Sequence, residues 1–209
     1  MKVLILGATG QLGRHVTQHA LDAGHAVTAF ARNPHGVDIS HRELNHIAGD
    51  ALDPRVVADA VAGHDAVIVA LGTGKSRKNT VRSDGTRNVI AAMGHHGVSR
   101  LICQTTLGCQ ETRPVLNFYW KRLMFGALIK PVFKDHELQE RLTQASDLDW
   151  TIVRPSAFKD AAGPEELFVG ERPTRAGLVF TVAKHEVARF MVDQIEDSSF
   201  LHQAVSISR

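Results

Sequence analysis

Three glycines, in Gly7-Ala8-Thr9-Gly10-Gln11-Leu12-Gly13, are the first residues of this sequence whose types and spacing point to chemistry. They follow the apolar run Val3–Leu6 and precede an amphipathic segment, so strand, tight turn and helix are expected in that order. Gly7 makes the sharp turn, Gly10 lets the backbone approach a pyrophosphate, and Gly13 allows helix to pack closely on strand. Free N–H groups where the helix begins then bind negative charge, which makes Thr9, Gln11 and Leu12 binding residues beside the glycines. A purely structural turn is the alternative, and the strand–turn–helix order favours the dinucleotide.

The second strand ends Phe30-Ala31-Arg32-Asn33, with no carboxylate to hold ribose hydroxyls. An arginine here can pair with a 2′-phosphate and stack on adenine, so Arg32 favours NADP(H) over NAD; a solvated surface arginine is the alternative. Asp50, with Ala51 beside it, could accept from the adenine amino group or simply close a turn. Leu71-Gly72-Thr73-Gly74 ends the fourth strand at the edge nearest the nicotinamide half, and Thr105-Thr106 ends the fifth in the corresponding place.

These positions need a scaffold, and apolar runs alternating with amphipathic segments supply one. Strands are expected at Val3–Leu6, Val27–Phe30, Asn45–Ala48, Ala66–Ala70, Arg100–Gln104, Trp150–Val153 and Ala204–Ile207. Helices are expected at 11–23, 54–61, 80–96, 135–145 and 184–195, with Asp53 capping the second and Gly24 and Gly97 closing the first and third. The stretch 107–134, which holds Tyr119, Trp120 and Lys121, is the least regular and is expected to cover the substrate side. This pattern is α/β: a Rossmann-like doubly wound parallel sheet, one domain over 1–209 with a small C-terminal extension on the substrate side.

Bulk composition narrows the function classes. With 44% hydrophobic and 22% charged residues the chain is an ordinary globular sequence, and a net charge of +2 gives no reason to expect nucleic acid. No apolar stretch has the length to span a bilayer, and residues 1–6 lack the cleavage site of a signal peptide. Cys103 and Cys109 form neither a disulfide framework nor zinc spacing, so reduced thiols in a cytoplasmic protein are expected. His15 and His19 have helical i, i+4 spacing but no convincing third ligand, so no metal is expected.

With these landmarks placed, the sequence resembles the atypical short-chain dehydrogenase/reductase group, nearest in pattern to the biliverdin-IXβ reductase/flavin reductase family. The likeness is carried by 7–13, 27–32, 61–69, Leu71-Gly72-Thr73, 85–93, Thr105-Thr106, Asp135-His136 and Pro155. It implies NADPH-dependent reduction of flavins or linear tetrapyrroles. Arg32 then holds the 2′-phosphate, Thr73 and Pro155 lie on the cofactor, and Thr106 stands beside the nicotinamide.

Two departures narrow the chemistry. The Tyr-x-x-x-Lys positions of typical short-chain reductases fall at Val132 and His136, and the substrate-side histidine of the biliverdin reductases falls at Ala157. Ketone reduction needs a positioned proton donor, whereas a flavin, quinone or tetrapyrrole-like acceptor spreads its charge and water can protonate it. Thr106 and His136 are therefore the catalytic candidates, each with a bland alternative as a local backbone partner and a helix-surface residue. Lys75, Arg77, Lys78 and Arg82 could attract an anionic acceptor or be solvated loop charge. A dinucleotide-binding redox sensor without turnover is the competing function, and a monomer or homodimer fits either.

Overall fold

A computed structural model describes residues 1–72, 80–115, 130–160, 166–173 and 180–209. In chain order it runs β1 (Lys2–Leu6), α1 (Gln11–Asp22), β2 (Ala26–Ala31), β3 (Leu44–Ala48), α2 (Pro54–Val61), β4 (Ala66–Val69), α3 (Val81–His96) and β5 (Arg100–Gln104). Then follow α4 (Lys130–Gln144), β6 (Asp149–Pro155), β7 (Ala157–Lys159), β8 (Phe168–Gly170), β9 (Thr181–Ala183), α5 (Lys184–Asp193) and β10 (Gln203–Ser208). Short 3₁₀ turns occupy Pro34–Val37 and Gln110–Val115.

Eight strands form one sheet in the order β3-β2-β1-β4-β5-β6-β10-β8, and only β8 runs antiparallel. The order reverses between β1 and β4, and ligands of such sheets bind beyond the carboxyl ends at that switch point. Strand residues buried on both faces explain the unbroken apolar runs. Leu12, Val16 and Ala20 of α1 pack with Val187 and Met191 of α5 on one face. On the other, Val57 and Val61 of α2 and Val89 and Met93 of α3 cover Leu4, Val67 and Leu101. Asp53 caps α2 by accepting from the N–H groups of Arg55 and Val56, with Pro54 in the first turn.

Two expectations need correction. Helix α4 covers Lys130–Gln144, so it already includes residues 130–134 ahead of the 135–145 expected. The strands β7, β8 and β9 leave no sign in the sequence pattern. They are three residues each, too short for any periodicity to register. Among the described residues no helix is long and apolar enough to cross a membrane.

Candidate functional site

The switch point is closed by backbone, and glycine is what permits it. Gly7 has φ +83°, and a Cβ there would lie 2.4 Å from the carbonyl oxygen of Ala70 at the end of β4. A Cβ on Gly13 would lie 2.1 Å from the oxygen of Gly7. Both positions therefore hold β1, α1 and β4 in direct contact.

Gly10 differs. A Cβ there meets, among the described residues, only the oxygen of Gly7, at a tight 3.1 Å, and φ is −67°, open to any residue. It stands at the N-cap of α1 with no side-chain cap and no acidic residue in the first turn. The N–H groups of Gln11, Leu12 and Gly13 thus have no acceptor within the helix and point from a positive dipole end. This exposed, uncapped terminus beside the turn fits a dinucleotide pyrophosphate. Thr9 is half-buried, and its carbonyl accepts from Arg14 Nε at 3.2 Å. We expect Gly10→Val to fold normally while dinucleotide affinity falls at least tenfold, about 1.4 kcal/mol. Calorimetric binding equal to that of the parent protein would remove the pyrophosphate from this turn.

The remaining candidates separate into available and committed groups. Arg32 is exposed directly after β2, and among the described residues it makes no ion pair. Asp50 is exposed too, but its Oδ1 accepts from the Leu52 N–H at 3.0 Å and its carbonyl from Asp53, so the turn reading holds for that oxygen. Ala51 and Leu71 are buried against Gly85, whose missing Cβ lets α3 approach: it would lie 2.7 Å from Leu71 Cδ1. Among the described residues nothing lies within 4 Å of a Cβ built on Gly72. Thr73, Lys75, Arg77 and Lys78 lie outside the described residues, as do Tyr119, Trp120 and Lys121.

At the β5 edge the two threonines part company. Thr105 is fully buried and its hydroxyl donates to Glu140 Oε1 at 2.7 Å, which points its side chain at α4. Thr106 is half-buried and its hydroxyl has only a 3.5 Å approach to the Leu107 carbonyl, too long to satisfy it. Pro155, buried at the end of β6, accepts from the Leu107 N–H at 2.9 Å and so ties the two strand ends together.

His136 is not a surface residue. It is 5% exposed, with Nδ1 3.2 Å from Gln139 Oε1. Asp135 is not its partner: that carboxylate accepts from the N–H and hydroxyl of Ser83 at 3.0 and 2.6 Å and caps the start of α3. Arg82 lies 3.6 Å from the same carboxylate. Burial, and then the charge of Arg82, push His136 down to about 3, so the ring stays neutral at physiological pH.

The unfolded chain therefore binds a proton that the folded chain refuses between pH 6.5 and about 3, and stability falls with pH through that window. Each pH unit costs about 1.4 kcal/mol. Between pH 7 and 5, His136→Asn should lose about 2 kcal/mol less than the parent in denaturant titrations. Equal losses would mean that His136 does not carry this dependence.

Sequence reasoning missed the largest polar feature at this edge. Arg154 of β6 is fully buried, its Nε and Nη2 donating to the two oxygens of Glu140 at 2.8 and 2.7 Å. Glu111, from the 3₁₀ turn after β5, also pairs with Arg154. An arginine within Thr-Ile-Val-Arg-Pro was the available signal, since a charge inside an apolar strand requires a buried counter-charge. Cys103 and Cys109 are both buried, and burial pushes the Cys103 thiol up to about 12. Among the described residues no group of three or more His, Cys, Asp or Glu gathers as a metal site.

A doubly wound sheet with an uncapped glycine turn at its switch point defines a dinucleotide-binding protein. The chain belongs to the NAD(P)H-binding family, whose model matches residues 7–198. It is 37% identical over 111 residues to the 2-alkyl-3-oxoalkanoate reductase of Stenotrophomonas maltophilia, covering 51% of this chain and 33% of that one. The chain spans a third or less of the first curated relatives it matches. Its fold is that of the oxidoreductase ylbE from Lactococcus lactis (TM-score 0.84, 20% identity, 99% of this chain and 90% of that one). It is equally that of ChuY, an anaerobilin reductase from Escherichia coli O157:H7 (TM-score 0.80, 24% identity, 99% and 96%).

Proposed function

We propose that this protein is an NADPH-dependent reductase of a flavin, quinone or related conjugated acceptor, including linear tetrapyrroles, acting as one domain in the cytoplasm. One observation carries the reading. The uncapped start of α1 stands at the switch point, and the β5 edge presents the Thr106 hydroxyl, whose contact among the described residues is a long 3.5 Å approach to the Leu107 carbonyl. When bound, the reduced nicotinamide supplies a hydride.

The chain's own residues bind and orient. The α1 terminus holds the pyrophosphate, Arg32 pairs with the 2′-phosphate, and Thr106 fixes a carbonyl or amide group at the reacting end. His136, buried on α4 and neutral, furnishes no imidazolium. The acceptor therefore takes its balancing proton from water, and the sum is acceptor plus NADPH plus H⁺ giving reduced acceptor plus NADP⁺. Proximity and orientation supply the rate enhancement. The reductase activities after which the Stenotrophomonas protein and ChuY are named support reductase chemistry in general.

The deciding experiment follows NADPH absorbance with purified protein and a panel of flavins, quinones and biliverdins. Turnover supports the enzyme reading, whereas tight binding without turnover selects a redox sensor. In the active pair, Thr106→Ala should lower turnover about tenfold, on the order of one positioning hydrogen bond. His136→Ala should lower it less, and the pH profile should show no limb near 6.5. A loss of three orders of magnitude in His136→Ala, with cofactor binding intact, would make His136 a general acid.

A further inference from the structure

Two arginines of the interior show what a buried guanidinium requires. Arg154 donates to Glu140 through Nε and Nη2 and pairs with Glu111 as well. Arg100 donates to the carbonyls of Asp149 and Gln194 and to the Thr151 hydroxyl, at 2.6 to 2.9 Å. Arg82, in the first turn of α3, is different. Its side chain is only 11% exposed, yet Nε and Nη1 are shielded from solvent without a hydrogen-bond partner. Among the described residues its ion pair is a 3.6 Å approach of Nη1 to Asp135 Oδ2, too long for a hydrogen bond. Solvated loop charge, the alternative for Arg82, is excluded by this burial.

Asp135 is already committed. Its Oδ1 accepts from the N–H and hydroxyl of Ser83, and its Oδ2 from the Arg82 N–H at 3.3 Å. Those bonds, with the positive end of α3, hold its negative charge. Burial therefore outweighs Asp135 and keeps the Arg82 pKa below the ordinary arginine range, whereas two carboxylates raise that of Arg154. His136, beside Asp135 on α4, is neutral and supplies no negative charge. A buried cation with unfilled donors is costly until an anion completes it.

The fold says where that anion would come from. A helix that follows a parallel strand starts beyond the strand's carboxyl end and runs back. As the second residue of α3, Arg82 stands at the carboxyl edge shared by β4 and its neighbour β5, whose end carries Thr106.

We propose that Arg82 selects the acceptor, its guanidinium binding a carboxylate or phosphate carried on the conjugated ring system. The proposal rests on the reductase reading, which supplies an acceptor at this edge. Two sources share the chemistry, the ribityl phosphate of a flavin and the propionates of a linear tetrapyrrole. A planar guanidinium takes either oxyanion through two N–H groups.

Fluorescence quenching with NADP⁺ present compares flavin mononucleotide with riboflavin, and biliverdin with its dimethyl ester. Each pair shares a ring system and differs in the anion. We expect the parent to bind the charged member of one pair about tenfold more tightly, the worth of a charge-assisted hydrogen bond. Arg82→Gln should erase that preference by weakening the charged member alone, and Arg82→Lys should restore part of it. The neutral member should keep its affinity in both variants, which also shows that the fold is intact. The pair that shows the preference identifies the source. Equal affinities within both pairs, binding of none of the four, or equal weakening of both members in Arg82→Gln overturns the proposal. Turnover across the acceptor panel is followed separately, so its absence would remove the reductase reading while Arg82 stands or falls on the dissociation constants.

Discussion

Replacing Arg154 by methionine should destabilise the protein by about 3–5 kcal/mol, the cost of leaving a buried charge without its partner. Glu140 is fully buried, and without Arg154 its carboxylate keeps, among the described residues, only the Thr105 hydroxyl. Burial opposes the charge on Arg154, yet the bonds from Glu140 and Glu111 hold its pKa well above the ordinary range, so it is a permanent cation here. Denaturant titration should show a lower midpoint with an unchanged slope. Replacing both partners, in Arg154→Met with Glu140→Leu, should recover most of the loss, because the pair is then exchanged for apolar packing. A single-variant loss below about 1 kcal/mol would show that the pair is not buried in solution. Function should suffer as well, because Glu140 anchors Thr105 and thereby the strand end that presents Thr106.

The second large effect concerns cofactor choice. Arg32→Ala should weaken NADPH by about 1.5–3 kcal/mol, the range of a charge-assisted hydrogen bond, and leave NADH nearly unchanged. The NADPH-over-NADH preference then drops by roughly one to two orders of magnitude, read from paired titrations. The premise is the exposed position of Arg32 directly after β2, at the sheet edge where the adenosine half of a dinucleotide lies. Equal weakening of both cofactors would place Arg32 on something they share, and the NADP assignment would go. Undiminished NADPH binding would make Arg32 a solvated surface charge.

Much of the architecture was legible because it depends on local order along the chain. Strand–turn–helix around Gly7 and Gly13, the Asp53 cap and the αL closure at Gly97 (φ 69°) are short-range consequences of residue type. So is the parallel sheet, since strands buried on both faces must be apolar throughout. Arg32 could be read in the same way, as the residue that ends an identifiable strand.

What only the tertiary structure decided are the partners of side chains far apart in sequence. The residue types at Thr105 and Thr106 do not say which hydroxyl is used. Strand alternation and the approach of α4 give Thr105 to Glu140 and leave Thr106, among the described residues, with a long 3.5 Å approach to the Leu107 carbonyl. Likewise Asp135-His136 reads as a neighbouring pair. A helix turns neighbours about 100° apart, so Asp135 caps α3 while His136 meets Gln139. The burial that keeps His136 neutral, and that joins Arg154 to Glu140 and Glu111, arises where three elements close on one another. A one-dimensional pattern encodes the period of each element and hence the face it must bury. It does not encode which buried polar group meets which, because that depends on the angle and register at which the elements pack.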